Sequence, residues 1–262
     1  LIKAAGANRA IVAIEDNKPD ALETMSRATR GIPWVSVEAV HTKYPQGSEK
    51  HLIKAVLGRE VPPGGLPFDV GAMVSNVGTA VAVADAFKKG MPLIERVVTV
   101  TGAVGSPSNL LVRIGTPLED LIRQVGGFRG TPGKVIMGGP MMGIAQRSLD
   151  VPVIKGTSGV LVLRREELPD TEPSSCIRCS RCVEACPMGL LPLFLGAYAE
   201  RGELGKAEEF NALDCIECGC CSYVCPARRP LVHAIRVAKA DIMERRRRIA
   251  QASKPPAGQP GL

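Results

Sequence analysis

Apolar and polar positions alternate in blocks that predict a chain of small α/β units followed by helices. Arg9-Ala-Ile-Val-Ala-Ile14 is a continuous apolar run of strand length, and Trp34-Val-Ser-Val-Glu-Ala-Val40 alternates with the period of a strand. Between them Asp20-Ala-Leu-Glu23 gives a capping-box-like start to a helix that stops at Gly31, so the order is that of a βαβ unit. Tyr44-Pro-Gln-Gly47 then makes a turn, and Ser48 caps a helix running to about Leu57. Val61-Pro-Pro-Gly-Gly-Leu-Pro67 is a loop, after which Ser75 caps a helix of small apolar residues that begins with Asn76 and ends at Gly90.

The middle of the chain reads as a small β-grasp domain. Arg96–Gly102 and Asn109–Gly115 are strands about a Gly-Ser-Pro turn, and Thr116-Pro-Leu-Glu119 opens a helix as a capping box that Gly126-Gly127 closes. Lys134–Met137 is a third strand, Gly138-Gly-Pro-Met-Met-Gly143 a tight turn rather than a dinucleotide loop, and Val160–Leu163 a strand returning to the core. Arg164 to Ser175, polar and holding Pro169 and Pro173, is the best linker. Leu190 to Asn211 is rich in helix formers, and Leu231 to Arg248 continues as an amphipathic helix.

The candidate chemistry flanks the first of those helices. Cys176-Ile-Arg-Cys-Ser-Arg-Cys-Val-Glu-Ala-Cys186-Pro187 and Cys215-Ile-Glu-Cys-Gly-Cys-Cys-Ser-Tyr-Val-Cys225-Pro226 both read C-x2-C-x2-C-x3-C-P. Three thiolates spaced three apart can surround one face of a cubane, while the fourth, followed by proline, serves the other cluster of a two-cluster protein. The runs thus predict two [4Fe-4S] clusters, one on Cys176, Cys179, Cys182 and Cys225 and one on Cys215, Cys218, Cys221 and Cys186. Zinc knuckles are the rival, but a tetrahedral site has no use for a third evenly spaced cysteine followed by C-P. Disulfides fit this spacing less well still. Cys220 is left over, either a small packed side chain, a substitute ligand or a redox thiol. His41, His51 and His233 are not at metal-ligand spacing and read as structural or surface residues.

Composition narrows the class. With 262 residues, 45% hydrophobic and 23% charged, the chain is globular and long enough for two or three domains. It opens on Leu1 without a leader pattern and reads as a fragment lacking its N-terminal part. The longest apolar run, Leu190–Ala199, is too short to span a bilayer and contains Pro192. The net charge is +7, with five basic against two acidic residues from 241 to 262. Arg245–Arg248 reads either as a solvated helix end or as a patch for anionic lipid or an acidic partner. One tryptophan, three tyrosines and five phenylalanines are too few to interleave with basic residues as nucleic-acid stacking platforms, so no nucleic-acid partner is expected. Glu49, in the first turn of its helix, suits either the helix dipole or a ligand, and the helix start at Asn76 suits either packing or an anion or flavin ring.

Taken in order, Lys43–Lys50, Asp69–Thr79, Gly138–Gly143, Gly156-Thr-Ser-Gly-Val160 and both cysteine runs make the chain resemble RnfC, the C component of the Rnf ion-translocating electron-transport complex, over nearly its whole length. The middle parts are also similar to the flavin-bearing subunit of respiratory complex I. The resemblance implies an α+β, multi-domain protein: a partial α/β flavin- and NADH-binding region over 1–92, a β-grasp (SLBB-like) domain over 93–164, a helical dicluster ferredoxin domain over 165–240 and a basic tail over 241–262. It implies electron transfer between NADH, through FMN, and the two clusters. It also implies membrane subunits as partners and a peripheral place on the cytoplasmic side of the inner membrane. By that likeness Glu49, Asn76 and Thr79 lie near flavin or nicotinamide. The family's glycine-rich flavin loop and acidic nucleotide-contacting segment have no counterpart here, so weak or no FMN binding is expected of this chain. Two other classes compete: a soluble flavin and iron-sulfur protein resembling cobalamin reductases, which place the ferredoxin before the β-grasp domain, and an iron-sulfur protein with only an interaction role.

Overall fold

The computed structural model describes residues 5–168 and 172–252, so part of the expected linker and the end of the basic tail lie outside the described residues. The chain divides into two compact units, Leu1–Ile94 and Glu95–Leu262.

In the first unit strand β1 (Ala10–Glu15) pairs in parallel with β2 (Val35–Val40), in register from Ala10 opposite Val35 to Glu15 opposite Val40. Helix α1 (Pro19–Ala28) makes the crossover that parallel pairing requires. It starts one residue before the expected box at Asp20. Pro19, whose ring fixes a helical φ and whose missing N–H is no loss there, takes the first position, and Asp20 sits in the first turn. At the strand ends the Asp16 carboxylate accepts from the Thr42 hydroxyl at 2.6 Å and its N–H at 3.0 Å, and pairs with His41 Nδ1 at 3.1 Å. These bonds, the Thr42 hydroxyl first, lower its pKa to about 2. Helix α2 (Glu49–Leu57) follows Ser48 and ends at Gly58 in the left-handed conformation. Helix α3 (Val77–Lys89) ends likewise at Gly90. Its cap is Asn76 and not Ser75, because the Asn76 amide oxygen accepts from Gly78 N–H at 2.8 Å. Among the described residues, Ile53 is the only buried apolar side chain of this unit.

The second unit begins with a β-grasp sheet. Strands β3 (Glu95–Gly102), β4 (Ser108–Arg113), β5 (Pro132–Met137), β6 (Ile144–Gln146) and β7 (Gly159–Arg164) lie in the order β4-β3-β7-β5-β6. Strands β3 and β7 run in parallel, and the other pairs are antiparallel. Val98, Val100, Val160 and Val162 face helix α4 (Leu118–Gln124) and its Leu118, Leu121 and Ile122 in one core. The expected Thr116–Glu119 capping box does not form. Pro117 takes the cap, and the free N–H groups of Leu118 and Glu119 donate to the carbonyls of Val151 and Leu149 at 3.0 and 3.1 Å. Strand β6 was not expected; the Gly138–Gly143 turn folds the chain back on β5, pairing Met137 with Ile144. Three residues carry too little alternation to announce a strand.

The rest of this unit is helical: α5 (Arg181–Glu184), α6 (Pro192–Glu200), α7 (Leu204–Glu209), α8 (Cys220–Tyr223) and α9 (Leu231–Ala252). Leu195, Ala207, Ala212, Ile235 and Ile242 form their core. Gly196 lets α6 approach α9, since a methyl there would lie 2.7 Å from Leu231 Cδ2. Helix α9 runs unbroken through residue 240, and the tail arginines belong to it: Arg245 and Arg246 reach Glu208 on α7 at 3.6 and 2.6 Å. No helix among the described residues is long and apolar enough to cross a membrane.

Gly102 is the sheet's most constrained position. It has φ +89°, and a Cβ there would sit 2.1 Å from the Val162 carbonyl oxygen, whereas Gly115, at φ +100°, faces open space. Gly102→Ala is expected to destabilise this unit by roughly 3 kcal/mol or more, from backbone strain plus a clash with main chain. Gly115→Ala should cost only about 1–2 kcal/mol, the left-handed penalty alone. Urea unfolding of both variants checks this, and equal losses would contradict the close approach.

Candidate metal centres

Each cysteine run folds into the same local shape. Arg178 and Glu217, between the first two cysteines of their runs, have φ 56°, and Ser180 and Gly219, one residue after the second, have φ 62° and 82°. The left-handed residues turn backbone N–H groups inward toward sulfur: Arg178 donates to Cys176 Sγ and Glu217 to Cys215 Sγ, both at 3.4 Å. A third such bond runs from Leu190 N–H to Cys186 Sγ at 3.4 Å. Such donors stabilise a thiolate and not a neutral thiol, which gives the strained positions a chemical reason. Gly219 has a further constraint, because a Cβ there would lie 2.7 Å from the carbonyl oxygen of Met141 in the β5–β6 turn. The β-grasp domain thus rests directly on the second run.

The runs face each other through the short helices α5 and α8 and the start of α9. One cavity, about 380 Å³ with its open mouth, is lined by Cys176, Cys179, Cys182 and Cys225. Another, about 350 Å³, is lined by Cys215, Cys218, Cys221 and Cys186. Each therefore draws three sulfurs from one run and the fourth from the other. Among the described residues no three His, Cys, Asp or Glu side chains converge on a single ion position. A cubane asks for that wider spread, since each cysteine binds a different iron, and the sulfur-only donor set suits iron-sulfur chemistry. Cys220 opens α8 and does not belong to the lining of either cavity; its thiol makes a hydrogen bond with that of Cys218, and burial first, then that hydrogen bond, push its pKa up to about 11.

Burial works against free thiolates here. It raises the pKa of Cys182 and Cys215, and it pushes Cys221 up to about 12 with help from the neighbouring Cys215 and Cys218. A bound cluster's irons supply the positive charge that such sulfurs need to ionise.

The sequence did not announce the charged residues around these cavities. Arg229, four residues past Cys225, lines the first cavity and is held by Glu200 of α6. Lys239 on α9 donates to the Cys215 carbonyl at 2.6 Å and to Glu217 at 2.8 Å, and Arg236 binds the same carboxylate at 2.7 Å. These two cations hold Glu217 below the usual carboxylate range against the opposing effect of its partial burial. A carboxylate inside a cysteine run, with Arg and Lys three apart on the next helix, was the available signal.

In the first unit Glu49 is the first residue of α2, Asn76 caps α3 and Thr79 lies in the first turn of α3. The capping bond commits the Asn76 oxygen. No hydrogen bond joins Glu49 to Asn76 or Thr79 among the described residues.

A domain of the dicluster iron-sulfur class, following a β-grasp domain and a small α/β unit in the chain, is what this arrangement defines. Family models agree part by part: a Nuo51 FMN-binding domain over residues 1–85, an SLBB domain over 97–145 and a 4Fe-4S dicluster domain over 175–228. The chain is 51% identical over 243 residues to the C component of the proton-translocating ferredoxin:NAD(+) oxidoreductase complex of Clostridium ljungdahlii, covering 92% of this chain and 53% of that protein. It is 49% identical over 248 residues to the Na(+)-translocating counterpart of Acetobacterium woodii, covering 94% and 56%. To the C component of the ion-translocating oxidoreductase complex of Rhodobacter capsulatus it is 45% identical over 250 residues, covering 95% and 48%. The chain belongs to this family, the RnfC components of ion-translocating oxidoreductase complexes, and spans about half the length of the curated relatives it matches. A chain of an NAD+-reducing [NiFe]-hydrogenase shares the fold, with a TM-score of 0.55 at 17% identity over 100% of this chain and 57% of that one.

The thiol chemistry has a direct check. Cys176 and Cys179 are exposed and Cys221 is buried. In the metal-free chain at pH 8, some four units below the Cys221 value, that thiol stays protonated and unreactive. Iodoacetamide should therefore label Cys176 and Cys179 at least about tenfold faster than Cys221. Equal rates by peptide mass spectrometry would contradict the burial.

Proposed function

We propose that this chain is the electron-transferring portion of a membrane-bound, ion-translocating NADH and ferredoxin oxidoreductase. Cys176, Cys179, Cys182 and Cys225 hold one [4Fe-4S] cluster, and Cys215, Cys218, Cys221 and Cys186 hold the other. The observation that carries this reading is the lining of each cavity by three cysteines of one run and one of its partner. Two cubanes built that way lie side by side, so electrons can pass between them inside the protein. The region over 1–92 contributes to an FMN and NADH site in which Glu49, Asn76 and Thr79 lie near flavin or nicotinamide, and the β-grasp part over 93–164 links it to the ferredoxin part over 165–240. The relatives' names support assembly with the other subunits of an ion-translocating complex, and in this reading the chain sits peripherally at the cytoplasmic face of the inner membrane with the basic residues over 241–262 available to anionic lipid. The α9 arginines are partly engaged by Glu208, which limits that last role. The β-grasp part precedes the ferredoxin part, which favours this reading over a cobalamin-reductase-like one.

Anaerobic reconstitution should give about eight iron and eight sulfide per chain. Iron near four, or stoichiometric zinc, would overturn the two-cluster assignment. In a longer version carrying FMN, NADH should bleach the clusters' visible absorbance. Bleaching by dithionite alone would leave an iron-sulfur protein with no nicotinamide role.

A further inference from the structure

The two cavities have different walls. Arg178 and Arg229 line the first, which has no carboxylate in its lining, while no charged residue lines the second. Pro187, Met188, Leu190, Leu195, Val232 and Ile235 wall the second instead. The Arg229 side chain is only 12% exposed, and the Glu200 that anchors it is more open at 45%, so the positive end of the pair forms the cavity wall. Arg178 stands between Cys176 and Cys179 with no ion-pair partner among the described residues. Water has the same preference: in the first set Cys176 and Cys179 are exposed and Cys182 is buried, whereas in the second Cys218 and Cys221 are buried and none is exposed.

A one-electron reduction adds one negative charge to a cluster. A cation in the wall and access to water favour that added charge, and an apolar wall disfavours it. Two features oppose this order. Among the described residues, backbone N–H groups bond Cys215 and Cys186 of the second set and Cys176 of the first, all at 3.4 Å. Lys239 and Arg236 also stand near the second run, and Lys239 bonds the Cys215 carbonyl, but Glu217 offsets one of their two charges and neither side chain lines the cavity. Glu200 offsets part of the Arg229 charge but is the more exposed partner and stays out of the lining, and Arg178 adds a charge with no carboxylate partner among the described residues, so the two arginines at the wall and the exposure outweigh one additional N–H dipole.

We propose that Arg229, aided by Arg178, makes the Cys176, Cys179, Cys182 and Cys225 site the higher-potential member of the pair, the one that holds the first electron the protein takes up. The inference rests on the two-cluster, crossed-ligand reading above. Arg229 is in this sense a positioning residue for charge, acting through the cavity wall and not on a substrate.

The test is a dithionite titration of the whole reconstituted chain, followed by paramagnetic resonance at controlled potential, with Cys179→Ala marking the first site. Two reduction waves are expected, and Cys179→Ala should abolish the higher one. Arg229→Leu should move that wave to lower potential by about tenfold in the ratio of oxidised to reduced cluster, about 59 mV for a one-electron couple, and leave the lower wave in place. Arg229→Lys should restore most of the shift. If Arg229→Leu loses iron, Arg178→Asn decides, because asparagine tolerates the left-handed backbone at φ 56°. It should shift the same wave by a smaller amount, and the shift should shrink as salt is raised. Survival of the higher wave in Cys179→Ala, or unmoved waves in arginine variants that keep about eight iron, would overturn the proposal. Wild-type iron near four would instead remove the two-cluster reading beneath it, so the two failures are distinguishable.

Discussion

A buried sulfur cannot stay ionised without a positive partner, and the helical half of the molecule is arranged around that constraint. Cys182, Cys215 and Cys221 are held where burial raises their pKa, while backbone N–H groups turned inward by left-handed residues point at Cys176, Cys186 and Cys215. The protein thus supplies part of the electrostatic support and leaves the rest to iron. In the apo form the same burial keeps these thiols protonated, so cluster binding must release their protons.

The supports reach these sites from three directions. Helix α9 ties the second run through Lys239 to Cys215 and Glu217, and its first turn places Leu231 against Gly196 of α6. From the β-grasp side, the Met141 carbonyl approaches Gly219 so closely that a side chain there has no room. The first run has a looser setting, with exposed Cys176 and Cys179, an exposed Ile177 at 67% and the partly buried Arg229 at its side. One cluster site is thereby embedded between domains of the same unit, and the other opens toward solvent, where a partner can approach.

How much of this was legible in the sequence depended on the range of the interactions. The cysteine runs, the βαβ unit and the Ser48 and Gly90 helix limits are written in local spacing, and they appear where that spacing placed them. Caps were misread wherever a proline or a distant backbone changed the local competition. Pro19 displaced Asp20, and Leu149 and Val151 replaced the Thr116 box with carbonyls from thirty residues away. Strand β6 was too short to show a period. Arg229 and Met141 act on the cysteines across the fold, where no spacing rule could reveal them, and Lys239 left only the faint signal of its spacing from Arg236. The first unit was read from resemblance more than from packing, and it buries only Ile53 among its described apolar residues.

In the crossed arrangement each run lends its fourth cysteine to the other's cluster, and substitution of that single ligand separates it from local ligation. Paramagnetic resonance of the reduced Cys225→Ala protein should lose or alter the signal that Cys179→Ala also removes, although Cys225 lies in the other run. Cys186→Ala should in the same way match Cys218→Ala. If instead Cys225→Ala matched Cys218→Ala and Cys186→Ala matched Cys179→Ala, each run would be serving its own cluster and the crossed arrangement would be wrong.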